Sequence, residues 1–89
     1  MTTMFARHKV ADYAAWRKAY EGFAPLQKKG GVTAEAVYRS VDDPNEVTVT
    51  HEFSDANRAR AFVDSPELRE VMQKAGVIGK PTIWFAAKG

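Results

Sequence analysis

The chain is predicted to be a single α+β domain spanning residues 1–89, with the order β-α-β-β-α-β and a four-stranded antiparallel sheet that carries its helices on one face. Three observations support that expectation. Between Asp12 and Lys29, the residues Tyr13, Trp16, Tyr20, Phe23 and Leu26 recur at steps of three and four, which stacks them on one helical face. From Glu46 to Phe53, Val47, Val49, His51 and Phe53 alternate with Glu46, Thr48, Thr50 and Glu52, the period of a strand with one buried face. An extended stretch followed by a helical one occurs twice, with a turn-rich hairpin between the two halves.

Thr3 to Val10 is the first strand, with Met4, Ala6, His8 and Val10 on one face and Phe5, Arg7 and Lys9 on the other. The aromatic helix follows. Asp12 is placed to accept from the free N–H groups of its first turn, and Gly30-Gly31 ends it. Pro25 lacks an N–H and clashes one turn back, so a kink or short break is expected near Ala24. Thr33 to Val41 reads as the second strand, with Val37 and Val41 opposite Tyr38 and Ser40. Asp42-Asp43-Pro44-Asn45 is the hairpin turn. Ser54 or Asp55 then caps a helical segment carrying Ala59, Phe62 and Val63. Ser65-Pro66-Glu67 restarts that helix, with Leu68, Val71, Met72 and Ala75 as its stripe and Gly76 as its stop. Lys80 to Ala87 is the last strand, with Ile83 and Phe85 opposite Thr82, Trp84 and Ala86.

Composition narrows the class. A chain this short buries roughly 60% of its unfolded surface, enough for one core. The net charge of +2 comes from dispersed Lys and Arg, which argues against nucleic acid as a partner. There is no cysteine, hence no disulfide framework and no thiol chemistry. No apolar run approaches the length of a membrane span, and no basic-then-apolar leader opens the chain; a cytoplasmic protein is expected. One consequence of the topology is an uncovered sheet face. Phe5, Tyr38 and Trp84 project from it, and exposed aromatics of that size point to a homodimer through that face.

The segments Arg7-His8-Lys9-Val10, Asp12-Tyr13 with Trp16, Asp42 to Val47, Ala61 to Leu68 and Gly76 to Pro81 together resemble the small dimeric α/β-barrel proteins grouped with the antibiotic biosynthesis monooxygenases. The resemblance spans nearly the whole chain. It implies a ferredoxin-like fold closed into a barrel by dimerisation. It also implies oxygenase chemistry on aromatic polyketides without a cofactor, although the same superfamily includes isomerases, cyclases and haem-degrading enzymes. Haem degraders carry an Asn-Trp-His set. Here the first strand has Arg7 and His8 with no Asn nearby, and the third has His51 with no Trp, which argues against that branch.

His8 and His51, the only histidines, fall on apolar strand faces, where a neutral imidazole can exchange a proton with a substrate. Strands one and three should be antiparallel neighbours with the two rings toward opposite ends, which disfavours a shared metal site. His8 is the candidate catalytic base. Tyr13, Trp16, Tyr20 and Phe23, with His51, Phe62 and Met72, are the candidate walls of an apolar site for a small aromatic ligand. The same aromatics also suit a plain core between helix and sheet. Arg7 and Glu52 have matching faces and are expected to pair at the interface, the alternative being that they hold a substrate carboxylate or phenolate, and the cluster from Asp64 to Glu67 reads as helix capping. No phosphate loop or nucleophile elbow is present. Three readings stay open: a cofactor-independent monooxygenase of phenolic or polyketide-like compounds, a non-catalytic binding module for an aromatic metabolite, and a structural dimer without ligand.

Overall fold

A computed structural model describes residues 1–89. Eight elements follow in order: β1 (Thr2–Val10), α1 (Tyr13–Glu21), α2 (Ala24–Lys29), β2 (Val32–Arg39), β3 (Glu46–Phe53), α3 (Ala56–Val63), α4 (Pro66–Lys74) and β4 (Val77–Ala86). The strands form one sheet in the order β2-β3-β1-β4, each neighbouring pair antiparallel. This is the predicted ferredoxin-like arrangement, with each helical crossover split in two.

The first split is the break expected near Ala24, and it falls at Gly22 and Phe23. α1 stops at Glu21, the residue whose carbonyl the Pro25 ring would strike, and the chain tightens through Gly22 and Phe23. Pro25 then sits in the first turn of α2, where its missing N–H is no loss. Asp12 stands at the N-cap position of α1, but its carboxylate makes no capping bond. Asn45 Oδ1 instead accepts from the Tyr13 N–H at 3.3 Å. In the second crossover Asp55 does cap, accepting from the Arg58 N–H at 2.8 Å. Ser65 holds the N-cap position of α4 without a side-chain bond. Gly76, at φ 82°, takes the left-handed turn out of α4 that a side chain would resist.

Strand faces follow the predicted alternation. Met4, Ala6, His8 and Val10 turn inward with Val47, Val49, His51 and Phe53 to meet the helices. β2 ends at Arg39, earlier than expected, and Val41 lies in the turn, 99% exposed, because the hairpin has already left the sheet. β4 begins earlier than expected, at Val77. Its ladder with β1 is irregular between Arg7↔Thr82 and Lys9↔Ile78, where the longer stretch of β4 bulges out. Two extra residues keep the parity, so Val77, Ile83 and Phe85 still pack against the core.

On the outer face Phe5 and Trp84 stack with ring centroids 5.3 Å apart. The predicted Arg7–Glu52 pair does not form. The register sets Arg7 opposite Thr48 and Glu52 opposite Thr3, a separation of several residues along the sheet. Arg7 Nε instead donates to Glu46 Oε1 at 2.6 Å. No helix is long and apolar enough to cross a membrane.

Candidate functional site

The aromatic face of α1 lies over the inward face of β1 and β3, and the side chains form a continuous ribbon of rings. His8 leans on Trp16 (centroids 5.6 Å apart), Trp16 stacks on Tyr20 (4.9 Å), and Tyr20 lies nearly parallel to His51 (6.2 Å). Phe62 of α3 meets His51 edge-on at 5.5 Å, and Phe23 meets Tyr20 at 6.2 Å. β1 and β3 place the two histidines apart: His51 pairs with Met4 and His8 with Val47. Four residues of strand separate them, about 13 Å along the sheet.

Between these rings lies an apolar cavity of about 40 Å³. His8, Trp16, Tyr20, Phe23, His51, Phe62 and Met72 all line it. Tyr13 does not. It sits at the start of α1, beyond the end of the cavity, with the Arg39 guanidinium 3.7 Å above its ring. Met4, Ala6, Val49, Leu68 and Ile83 complete the lining, positions the sequence marks only as core. Forty cubic ångströms holds a water or two, and an aromatic ring needs more. The room lies next door. A groove of about 490 Å³ runs between α4 and β4, and Leu68, Met72 and Ile83 form the wall shared by groove and cavity. Met72 is half-buried and unbranched, the side chain best able to swing aside.

The electrostatics are those of a dry site. His8 is 6% exposed and both its ring nitrogens are buried without a partner. Burial lowers its pKa and keeps the ring neutral. His51 is 4% exposed, and burial pushes its pKa down to about 4 against the opposing pull of Glu35. Its Nε2 lies 3.1 Å from the Tyr20 hydroxyl, while Nδ1 is buried and unpartnered. Tyr20 Oη donates to Glu35 Oε2 at 2.6 Å, and burial, reinforced by Glu35, raises the hydroxyl's pKa. Glu35 was not singled out in the sequence. The available signal was parity, since it shares the inward face of β2 with Val37, an unusual place for a carboxylate. No three His, Asp or Glu side chains stand close enough together to hold a metal ion.

Over almost its whole length the backbone matches solved structures of antibiotic biosynthesis monooxygenase-like proteins. One, from Bordetella bronchiseptica and provisionally called an antibiotic biosynthesis monooxygenase, is 17% identical. It matches over 99% of this chain and 96% of its own, with a TM-score of 0.85. SnoaB, a cofactor-independent oxygenase from Streptomyces nogalater, is 15% identical over 99% of this chain and 94% of its own, with a TM-score of 0.75. A conserved protein from Methanosarcina mazei Go1 is 15% identical over 99% and 92% of the two chains, at 0.77. At such identities the likeness establishes a common fold. No family model matches the sequence, and no curated protein matches it.

Proposed function

We propose that this chain is a cofactor-independent oxygenase of electron-rich aromatic compounds, phenolic or polyketide-like, with His8 as the catalytic base. The observation that carries the reading is the set of buried ring nitrogens on His8 and His51 that have no partner inside an aromatic chamber. Each such group costs roughly 1–3 kcal/mol, and a purely structural core would replace it with an aliphatic side chain. The fold shared with SnoaB supports the same direction.

In the reaction, His8 takes a proton from an activated ring methylene. The resulting anion gives its electron pair to dioxygen, forming a carbon–oxygen bond and a peroxide. The peroxide takes the proton back from His8. Loss of the second carbon-bound hydrogen with water leaves a carbonyl, so that one oxygen enters the product and the other leaves as water. The protein orients the ring between Trp16, Tyr20, Phe23, His51 and Phe62, excludes solvent and moves one proton. The substrate reaches the chamber from the α4–β4 groove as Met72 swings away.

The same proposal includes a homodimer through the open sheet face. Tyr38 and Trp84 are 59% and 42% exposed there, beside the Phe5–Trp84 stack.

Oxygen uptake with dithranol, an anthrone bearing phenolic hydroxyls, tests the chemistry. The wild type is expected to exceed the enzyme-free control, and His8→Ala to lose roughly a hundredfold of the excess. Uptake equal to the control, or unchanged in His8→Ala, rejects the mechanism. Saturable quenching of tryptophan fluorescence by dithranol without uptake assigns the chamber to a binding protein instead.

A further inference from the structure

The chamber holds two histidines, and only His51 is hydrogen-bonded, through Tyr20, to a group that meets water. Tyr20 has a single hydroxyl proton, and a carboxylate only accepts, so Tyr20 donates to Glu35 and its oxygen accepts from His51 Nε2–H. The tautomer of His51 is thereby set from the neighbouring edge strand. Its Nδ1 is left as a bare lone pair, buried and unpartnered, on a ring that lines the chamber. At the other end of the series Glu35 lies on the edge strand β2 and is exposed to water. The remaining charged group beside Tyr20 is Arg17, its guanidinium 5.5 Å from the ring centroid.

We propose that His51, Tyr20 and Glu35 form a proton path that ionises a phenolic hydroxyl held in the chamber and delivers its proton to solvent. The use of the path, though not its geometry, rests on the oxygenase reading above. The phenolic proton goes to Nδ1, the Nε2 proton to Tyr20 Oη, the Tyr20 proton to Glu35, and Glu35 gives it up to water. The substrate keeps the electron pair as a phenolate, faced by the new Nδ1–H. The ring is again neutral, and the Tyr20 hydroxyl turns to donate to the bare Nε2. When the product recovers its phenolic proton, the same transfers run backward and restore the starting tautomer. The two histidines thus divide the work. His51 ionises the phenol and makes the ring electron-rich, while His8, some way along the sheet, handles the proton on carbon. The path also narrows the substrate class to aromatics that carry a free hydroxyl.

The test needs no turnover. Imidazole nitrogen NMR on isotope-labelled full-length protein reports both the His51 tautomer and the rate at which its ring proton exchanges with solvent. The wild type is expected to carry the proton on Nε2 with a bias of roughly fivefold or more, the size of one net hydrogen bond. Tyr20→Phe removes the middle link, and the bias collapses. Glu35→Gln, at an exposed position that leaves the core intact, still accepts from Tyr20 through its amide oxygen but takes up no proton. The tautomer then stays, and exchange slows roughly tenfold or more. A proton on Nδ1 in the wild type, or unchanged exchange in Glu35→Gln, overturns the path. Absence of oxygen uptake with dithranol rejects the oxygenase reading alone, since the NMR result decides the path independently.

Discussion

Burial of His51 makes folding stability depend on pH in a definite direction. In the unfolded chain its imidazole titrates near 6.5; in the folded protein burial holds the value at about 4. The unfolded state therefore binds a proton first as the pH falls, and stability is lost between pH 6.5 and pH 4. At 1.36 kcal/mol per pH unit the full loss is roughly 3 kcal/mol, of which about 2 kcal/mol has gone by pH 5. His8 contributes with the same sign, because burial lowers its pKa too. The clean measurement is consequently a difference. Urea denaturation of wild type and His51→Leu, each between pH 7 and pH 4.5, separates the two rings. The wild type should lose about 2 kcal/mol more than the variant on going from pH 7 to pH 5. Parallel curves for the two proteins would mean that His51 takes up its proton without penalty, and the dry, neutral chamber would be wrong.

Other perturbations probe the walls and the open face. A Cβ on Gly30 would collide with the Phe62 ring, so Gly30→Ala must displace a chamber wall that is itself packed between His51 and Phe53. Thermal melts should show a loss of about 1–3 kcal/mol, at roughly 4–8 °C of Tm per kcal/mol for a domain of this size; an unchanged Tm would show the wall to be loose. Met72→Ala merges the cavity with the α4–β4 groove. It should strengthen fluorescence-detected binding of naphthol severalfold while costing about 1–3 kcal/mol, and unchanged binding would place access elsewhere. Trp84→Glu puts a charge in the exposed Phe5–Trp84 stack, and native mass spectrometry should convert a two-chain assembly into single chains. A wild-type monomer at micromolar concentration would leave the outer aromatics without the proposed partner.

How far the sequence reaches can be judged element by element. Alternation within β1 and β3 is local, and it sufficed to turn His8 and His51 toward the helices; their separation along the sheet follows from the antiparallel pairing of the two strands. Pro25 announced a disruption of the first helix, because the clash is with its own preceding turn; that the disruption is a full break at Gly22 and Phe23 depended on how the following segment docks. Arg7 pairs with Glu46 and not with the expected Glu52 because matching faces do not set a register. Arg7 and Glu52 share a side of the sheet, yet the β1–β3 ladder slides Glu46 within reach and carries Glu52 away. Tyr13 keeps the helical spacing of Trp16 and Tyr20, but its first-turn position lies beyond the cavity, beneath Arg39.

The contact of Tyr20 with Glu35 joins α1 to an edge strand whose phase against β3 shifts at a bulge between Val32 and Ala34. Past that bulge Glu35 faces the same side as His51, its partner in the ladder. Local periodicity encodes which way a side chain points, because each residue's direction follows from the backbone geometry of its own element. It encodes neither where two elements meet nor how much space they leave, because register, bulges and cavity volume are settled by the simultaneous packing of residues distant in the chain. The order of elements, the inward faces and the aromatic character of the chamber are therefore local properties of the chain. The chamber's small volume, its shared wall with the groove, and the hydrogen bonds that tie His51 through Tyr20 to Glu35 arise only when the elements pack together.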